Sequence, residues 1–194
     1  DKNIRQMVLY WRPAPEIGQI RAEKIKLGDT KLEYFRQLLS IKFSVYQQML
    51  QLSATHFPSV MHTFDERKTY AAAVGQYIRQ LSHPVVLFGD FNWRPELLPW
   101  NSLESIFSSL NDSTPADNFS YFYWRRKTEF VFDRVYASPA LTIKANYLTT
   151  PPFGREMWDG EIKKVFPVKF NEKKGVGFSD HFPLKIEVSI YHPD

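Results

Sequence analysis

Apolar and polar positions along this chain repeat with two periods. Residues 34–45, YFRQLLSIKFSV, alternate loosely and are rich in β-forming side chains, and residues 48–57, QMLQLSATHF, do the same. Both predict strands, joined as a hairpin around Tyr46, Gln47 and Gln48. Upstream, QMVLYWRP at residues 6–13 predicts a strand closed by Pro13 and Pro15, and residues 16–33 a loop or a polar strand. From residue 65 the period lengthens. In DERKTYAAAVGQYIRQLSH, residues 65–83, the apolar Tyr70, Ala73, Val74, Tyr77, Ile78 and Leu81 share one face of a helix. His83-Pro84 stops it, because the residue before a proline is driven out of the helical region.

HPVVLFGD follows with no alternation, which predicts a strand buried on both faces. Residues 96–110, ELLPWNSLESIFSSL, predict one or two short helices, and residues 111–120 a turn-rich loop. YFYWRRKTEFVFDRVYAS at residues 121–138 predicts a hairpin or two strands, with Arg125, Arg126 and Lys127 at the bend. PALTIKANYLTT predicts a further strand, residues 151–174 a long charged loop, and FSDHFPLKIEVSIY a final strand. The order of strands, helix, strand, helices and strands predicts an α+β fold in which helices cover stacked sheets, rather than regular βαβ winding.

Composition adds bounds. At 194 residues, with 43% hydrophobic and 16% aromatic side chains, the chain suits one domain with a sizeable core. No apolar run approaches the roughly 18 residues of a membrane-spanning helix. The absence of cysteine excludes disulfides and thiolate metal sites. The first residues show no signal-peptide cleavage pattern and no initiator Met, so residues 1–194 are expected to form a single, partial domain. The net charge of +4 is local: residues 121–174 hold 11 Lys and Arg against 6 Asp and Glu. Such a region suits an anionic partner, a phosphodiester or a phospholipid headgroup, although charge alone fits a solvated face equally well.

The candidate chemistry stands at strand ends. Thr55-His56 closes LQLSATH; Asp90, Asn92 and Arg94 close VVLFGDFNWR; Asp133 sits inside FVFDRV; Ser179-Asp180-His181 opens the last strand. Taken singly, His56 also fits a cap, Asp90 and Asn92 a turn, and Ser179-Asp180 a capping pair. Asp133 is harder to excuse. A carboxylate among apolar neighbours is costly unless paired, and His181 is its natural partner. Together the set suits phosphodiester hydrolysis. That reaction needs an oriented water, donors for the phosphoryl oxygens and usually a divalent metal. An Asp held by an Asn can orient and deprotonate the water, while two histidines and an arginine hold the oxygens. A carboxylate behind one histidine fixes its tautomer and favours its charged form.

With THF at 55–57, Glu66-Arg67 on the helix, GDFN at 89–92, FDRVY at 132–136 and SDHFPL at 179–184, the chain resembles the endonuclease/exonuclease/phosphatase superfamily. The resemblance implies a four-layered α/β sandwich. It implies that Asp90 is the acid or base acting on water, Asn92 its partner at water and phosphate, and His181 a phosphate contact backed by Asp133. It also implies that Asp180 supports a metal, Mg²⁺ or Mn²⁺, and that His56 is a second phosphate-side donor. Arg94 extends the motif to GDxNxR, a pattern shared by the tyrosyl-DNA phosphodiesterase 2 branch and the inositol polyphosphate 5-phosphatases. The flanking strands are more similar to the former, in which that arginine faces the phosphate. Ser179 joins the phosphate-binding set, and Trp124 with Arg125 is the expected substrate-binding pair, an exposed ring beside a cation.

The implied function is a metal-dependent phosphodiester hydrolase releasing tyrosyl adducts from 5′ DNA ends. Its partners would be DNA ends and covalent protein–DNA adducts, and its setting nuclear. The alternatives are an inositol phosphate or phosphoinositide 5-phosphatase, a toxin-type DNase, and a non-catalytic module of the same fold. The family's Asn on the first strand and its Gln-Glu motif find no counterpart upstream of His56. The chain is therefore expected to correspond to the C-terminal two-thirds of the domain, lacking the N-terminal strands of one sheet.

Overall fold

The computed structural model describes residues 17–18, 20–25, 27, 38–59, 61–92, 107–116, 119–160, 162–168 and 179–190. The strand expected at residues 6–13, and residues 96–106 of the helical stretch expected over 96–110, lie outside them. In chain order the elements are β1 (Arg21–Ile25), β2 (Leu38–Val45), β3 (Gln48–His56), α1 (Phe64–Arg79), β4 (Val85–Asp90), β5 (Asn111–Asp112) and β6 (Tyr121–Tyr123). They continue with β7 (Thr128–Phe130), β8 (Asp133–Ala137), β9 (Leu141–Tyr147), β10 (Gly154–Asp159), β11 (Ile162–Pro167) and β12 (Leu184–Ile190).

The β2–β3 hairpin turns where the sequence places it. Tyr46 (φ 48°) and Gln47 (φ 66°) are both left-handed, the conformation whose twist matches the flanking strands in a two-residue turn. Helix α1 opens on a reciprocal cap: Glu66 N–H donates to Thr63 Oγ1 and Thr63 N–H to Glu66 Oε2. It ends at Arg79, short of the predicted limit at residue 83. His83 is instead held by its Nε2, 3.0 Å from the Oε1 of the buried Gln51.

Strands β3 and β4 run parallel with α1 as their crossover, and every other pairing in the sheet β1-β2-β3-β4-β8-β5 is antiparallel. Side chains alternate across this sheet. Val85, Leu87 and Tyr136 face α1 and pack with Tyr70, Ala71, Val74 and Ile78. Leu50, Val86, Val135 and Ala137 face the other way, against the pair β9–β12 through Leu141, Ile143, Leu184, Ile186 and Val188. Helix, large sheet and second sheet are thus three layers standing among the described residues.

Two expectations are corrected. The region at residues 151–174, expected as a charged loop, holds the β10–β11 hairpin, turned through Gly160 (φ 64°) and anchored where the Phe166 ring meets Phe122 at 4.6 Å. Charged side chains on both strands hide the alternation that would have marked it. Residues 111–120, expected as loop throughout, begin with the short edge strand β5 on β8. Residues 121–138 form three strands, the hairpin β6–β7 and then β8.

Candidate active site

The alternation that builds the two cores also builds the site. His56 continues the face of Leu50 and Leu52, Asp90 that of Val86 and Phe88, and Asp133 that of Val135 and Ala137. The next residues, Phe57 and Phe91, turn to the helix side, where their rings stack at 4.7 Å and are completely buried. The strand register sets His56 beside Asp90, and Asp90 beside Asp133. Three polar side chains therefore meet at one rim of the large sheet, on the side facing the second sheet. The segment leading into β12 brings His181 to them, bridged to Tyr121 at the start of β6.

His181 Nδ1 lies 2.7 Å from Asp133 Oδ2. His56 Nε2 lies 3.4 Å from Asp90 Oδ2. The other oxygen of Asp90 accepts the Asn92 backbone N–H at 2.8 Å, and the Asn92 side-chain amide donates to Phe57 O at 3.0 Å. Asn92 adopts φ 49°, a left-handed conformation that asparagine tolerates better than most residues. It braces the ends of β3 and β4 against each other and fixes the Asp90 carboxylate. Ser179 Oγ accepts the His181 backbone N–H at 3.0 Å, so its observed role is to hold the loop carrying His181. The Tyr121 ring covers that imidazole, 4.7 Å between centroids.

Burial alone would lower the His181 pKa. The hydrogen bond to Asp133 and the charges of Asp133, Asp90 and Asp180 together outweigh it and raise the value to about 9. At neutral pH His181 is therefore an imidazolium. It donates to Asp133 from Nδ1, and Nε2–H remains its second donor. A folded-state value above the unfolded one means that the pair's contribution to stability is complete below about pH 6.5 and is lost as the pH rises through about 9. We expect this loss to amount to about 1–3 kcal/mol, since the His181 side chain is only 23% exposed. Urea unfolding followed from pH 6 to 10 checks it: the Asp133→Asn variant should lack the decline, and an identical decline in both proteins would contradict the assignment.

The structure thus brings together Asp90, Asn92, His56, Asp133, His181, Ser179 and Asp180. Trp124 and Arg125 are not in that cluster. They sit at the turn of the β6–β7 hairpin, both exposed, with the Trp124 ring edge-on to Phe122 at 4.6 Å. Since β6 begins at Tyr121 against His181, the turn lies about 10 Å away along the strand. Arg94 is outside the described residues. Sequence reasoning missed Ser120 and Tyr147, which hold the backbone of Asp133. Their hydroxyls act on main-chain groups, which leaves no pattern in the sequence.

Asp180 was the carboxylate expected to support a metal. Among the described residues no group of three or more His, Asp or Glu side chains could hold one. Among the described residues, Asp180 and its neighbours therefore do not by themselves make up a divalent-metal site.

Two packed sheets under a helical layer, with histidines and carboxylates gathered at one rim, define an α/β sandwich with its polar site at the strand ends. The chain belongs to the Endonuclease/Exonuclease/phosphatase family, whose model matches residues 4–181. Members of this family are hydrolases of the nuclease and phosphatase kind and generally use a divalent metal. No curated protein matches the chain. Among solved structures it is similar to D. rerio TDP2 complexed with single-strand DNA product, at 17% identity and a TM-score of 0.58, covering 89% of this chain and 68% of that one. It is similar to a Bacteroides thetaiotaomicron mannosyl-6-phosphatase, at 20% identity and a TM-score of 0.60, covering 90% of this chain and 68% of that one. It is also similar to the inositol polyphosphate 5-phosphatase domain of a synaptojanin, at 17% identity and a TM-score of 0.51, covering 91% of this chain and 57% of that one. These likenesses establish the sandwich fold.

Proposed function

We propose that this site hydrolyses a phosphodiester and that its substrate is a 5′ DNA end carrying a tyrosyl adduct, a task in DNA repair. The observation that carries the reading is the His181–Asp133 contact at 2.7 Å, set at a rim shared with Asp90 and His56. In this reading Asp90, fixed by the Asn92 N–H, orients a water and takes its proton as the water oxygen bonds to phosphorus. His181, through Nε2–H, and His56 bind the phosphoryl oxygens, where charge builds up. The bond from phosphorus to the tyrosine oxygen breaks, leaving a 5′-phosphate. The sheet holds these groups to the tolerance that such positioning requires.

The exposed Trp124 beside Arg125, Arg126 and Lys127 supports a nucleic-acid partner, with a ring for a base and cations for its phosphates. Arg94 is assigned to the same phosphate on its motif alone, and Mg²⁺, with Mn²⁺ as substitute, on family usage alone. The synaptojanin and mannosyl-6-phosphatase likenesses make a phosphomonoesterase the second reading. A panel of 5′-phosphotyrosyl oligonucleotide, inositol polyphosphate and mannose 6-phosphate, each with and without Mg²⁺, separates them. We expect tyrosine release from the oligonucleotide, weakening as salt rises. Phosphate release from the sugars alone would establish the second reading and refute the first.

A further inference from the structure

Ser120 is completely buried, and its hydroxyl oxygen accepts two consecutive backbone N–H groups, those of Phe132 and Asp133, each at 2.9 Å. Its carbonyl accepts the N–H of Phe182, next to His181, at 2.8 Å, and its own N–H donates to Phe130 O at 2.9 Å. One residue therefore ties down the chain on both sides of the Asp133–His181 pair. Tyr147 completes the arrangement. Its hydroxyl donates to the Asp133 carbonyl at 2.5 Å and is within hydrogen-bonding reach of Ser120. The Asp133 peptide is thus gripped at both its N–H and its C=O. Phe132 lies in the link between β7 and β8, outside both strands, so Ser120 supplies there what a strand partner would supply elsewhere.

We propose that Ser120, backed by Tyr147, is the positioning residue of the Asp133–His181 pair: it fixes the Asp133 backbone so that one carboxylate oxygen meets Nδ1 and the imidazole keeps a single orientation. The inference rests on the phosphodiesterase reading for its catalytic consequence, but not for its structural one. Without the Ser120 oxygen, two buried N–H groups lose their acceptor and the Asp133 carboxylate gains freedom to swing. Misplacement on the scale of an ångström is enough to reduce turnover strongly.

The test combines kinetics with a spectroscopic signature in wild type, Ser120→Ala, Asp133→Asn and the double variant. With 5′-phosphotyrosyl oligonucleotide, Ser120→Ala should lower kcat by about 10- to 100-fold and leave KM within about twofold. In the Asp133→Asn background the same change should have little further effect, because the two residues act as one unit. Independent, multiplying losses would overturn the proposal. The second reading is the Nδ1–H proton of His181 in ¹⁵N-edited spectra, which should exchange with water about tenfold faster in Ser120→Ala. Unchanged exchange would also overturn it. Should wild type fail to turn over the oligonucleotide, the functional reading falls and the exchange rate decides the positioning role on its own. If Ser120→Ala does not fold, Tyr147→Phe, which removes the bond to the Asp133 carbonyl and leaves the Ser120 oxygen in place, is held to the same two readings.

Discussion

Replacing Asp90 with asparagine should lower phosphodiester hydrolysis by about 10²-fold or more, the loss expected when a group acting in proton transfer is removed. The substitution is nearly isosteric. An asparagine oxygen can still accept the Asn92 N–H that Asp90 now accepts at 2.8 Å, so the bend after β4 should survive. What disappears is the negative charge beside His56 and His181, and with it the group proposed as the base. KM should change little, because His56 and His181, the proposed phosphate contacts, remain. Steady-state kinetics beside thermal melts check this. A variant that melts like wild type and keeps more than about a tenth of its kcat would remove Asp90 from the proton-transfer role.

Gly89→Ala should be the most destabilising single change near the site. A β-carbon at Gly89 would lie 2.0 Å from the Thr55 carbonyl oxygen, on the strand with which β4 pairs in parallel. Gly89 also has φ 132°, a conformation that side chains on L-residues rarely adopt. The obstacle is backbone rather than a flexible side chain, so β3 and β4 must separate where they deliver His56 and Asp90. The cost should exceed about 4 kcal/mol, in the range reserved for core disruption or strained backbone. Urea unfolding measures it directly, and a variant within about 1 kcal/mol of wild type would show that the strand pair can yield there.

Much of this site was legible in the sequence because strands have a period of two. A glycine, then an aspartate, then a phenylalanine at the end of VVLFGDF puts one polar and one apolar side chain on opposite faces, and the structure uses Phe91 to anchor what Asp90 presents. A carboxylate inside FVFDRV had to find a partner, and His181 stands 2.7 Å away. Helix α1 declared itself by its spacing. The hairpin β10–β11 did not, because Arg155, Glu156, Lys163 and Lys164 occupy positions where an apolar stripe would have revealed it. Strand β5 is only two residues long and exists through its neighbour β8. The roles of Ser120 and Tyr147 were hidden for a common reason. Each bonds to a backbone group far away in the sequence or around a turn, and such bonds depend on the fold rather than on local pattern.

The sandwich explains why the polar groups stay aligned. His56, Asp90 and Asp133 sit on neighbouring strands of one sheet, and Phe57, Phe91, Phe107 and Tyr136 pack beneath them with ring centroids 4.7–6.3 Å apart. His181 arrives on the segment leading into β12, and its loop is tied by Ser179, Ser120 and Tyr121.

The most direct measurement is hydrolysis of a 5′-phosphotyrosyl oligonucleotide in ¹⁸O-labelled water, with Asp90→Asn and His181→Ala alongside wild type. Water attack at phosphorus predicts that wild type releases tyrosine and leaves a 5′-phosphate carrying one ¹⁸O atom per turnover, with both variants nearly inactive. Tyrosine release without label in the phosphate, or equal activity in all three proteins, would contradict the mechanism proposed for this site.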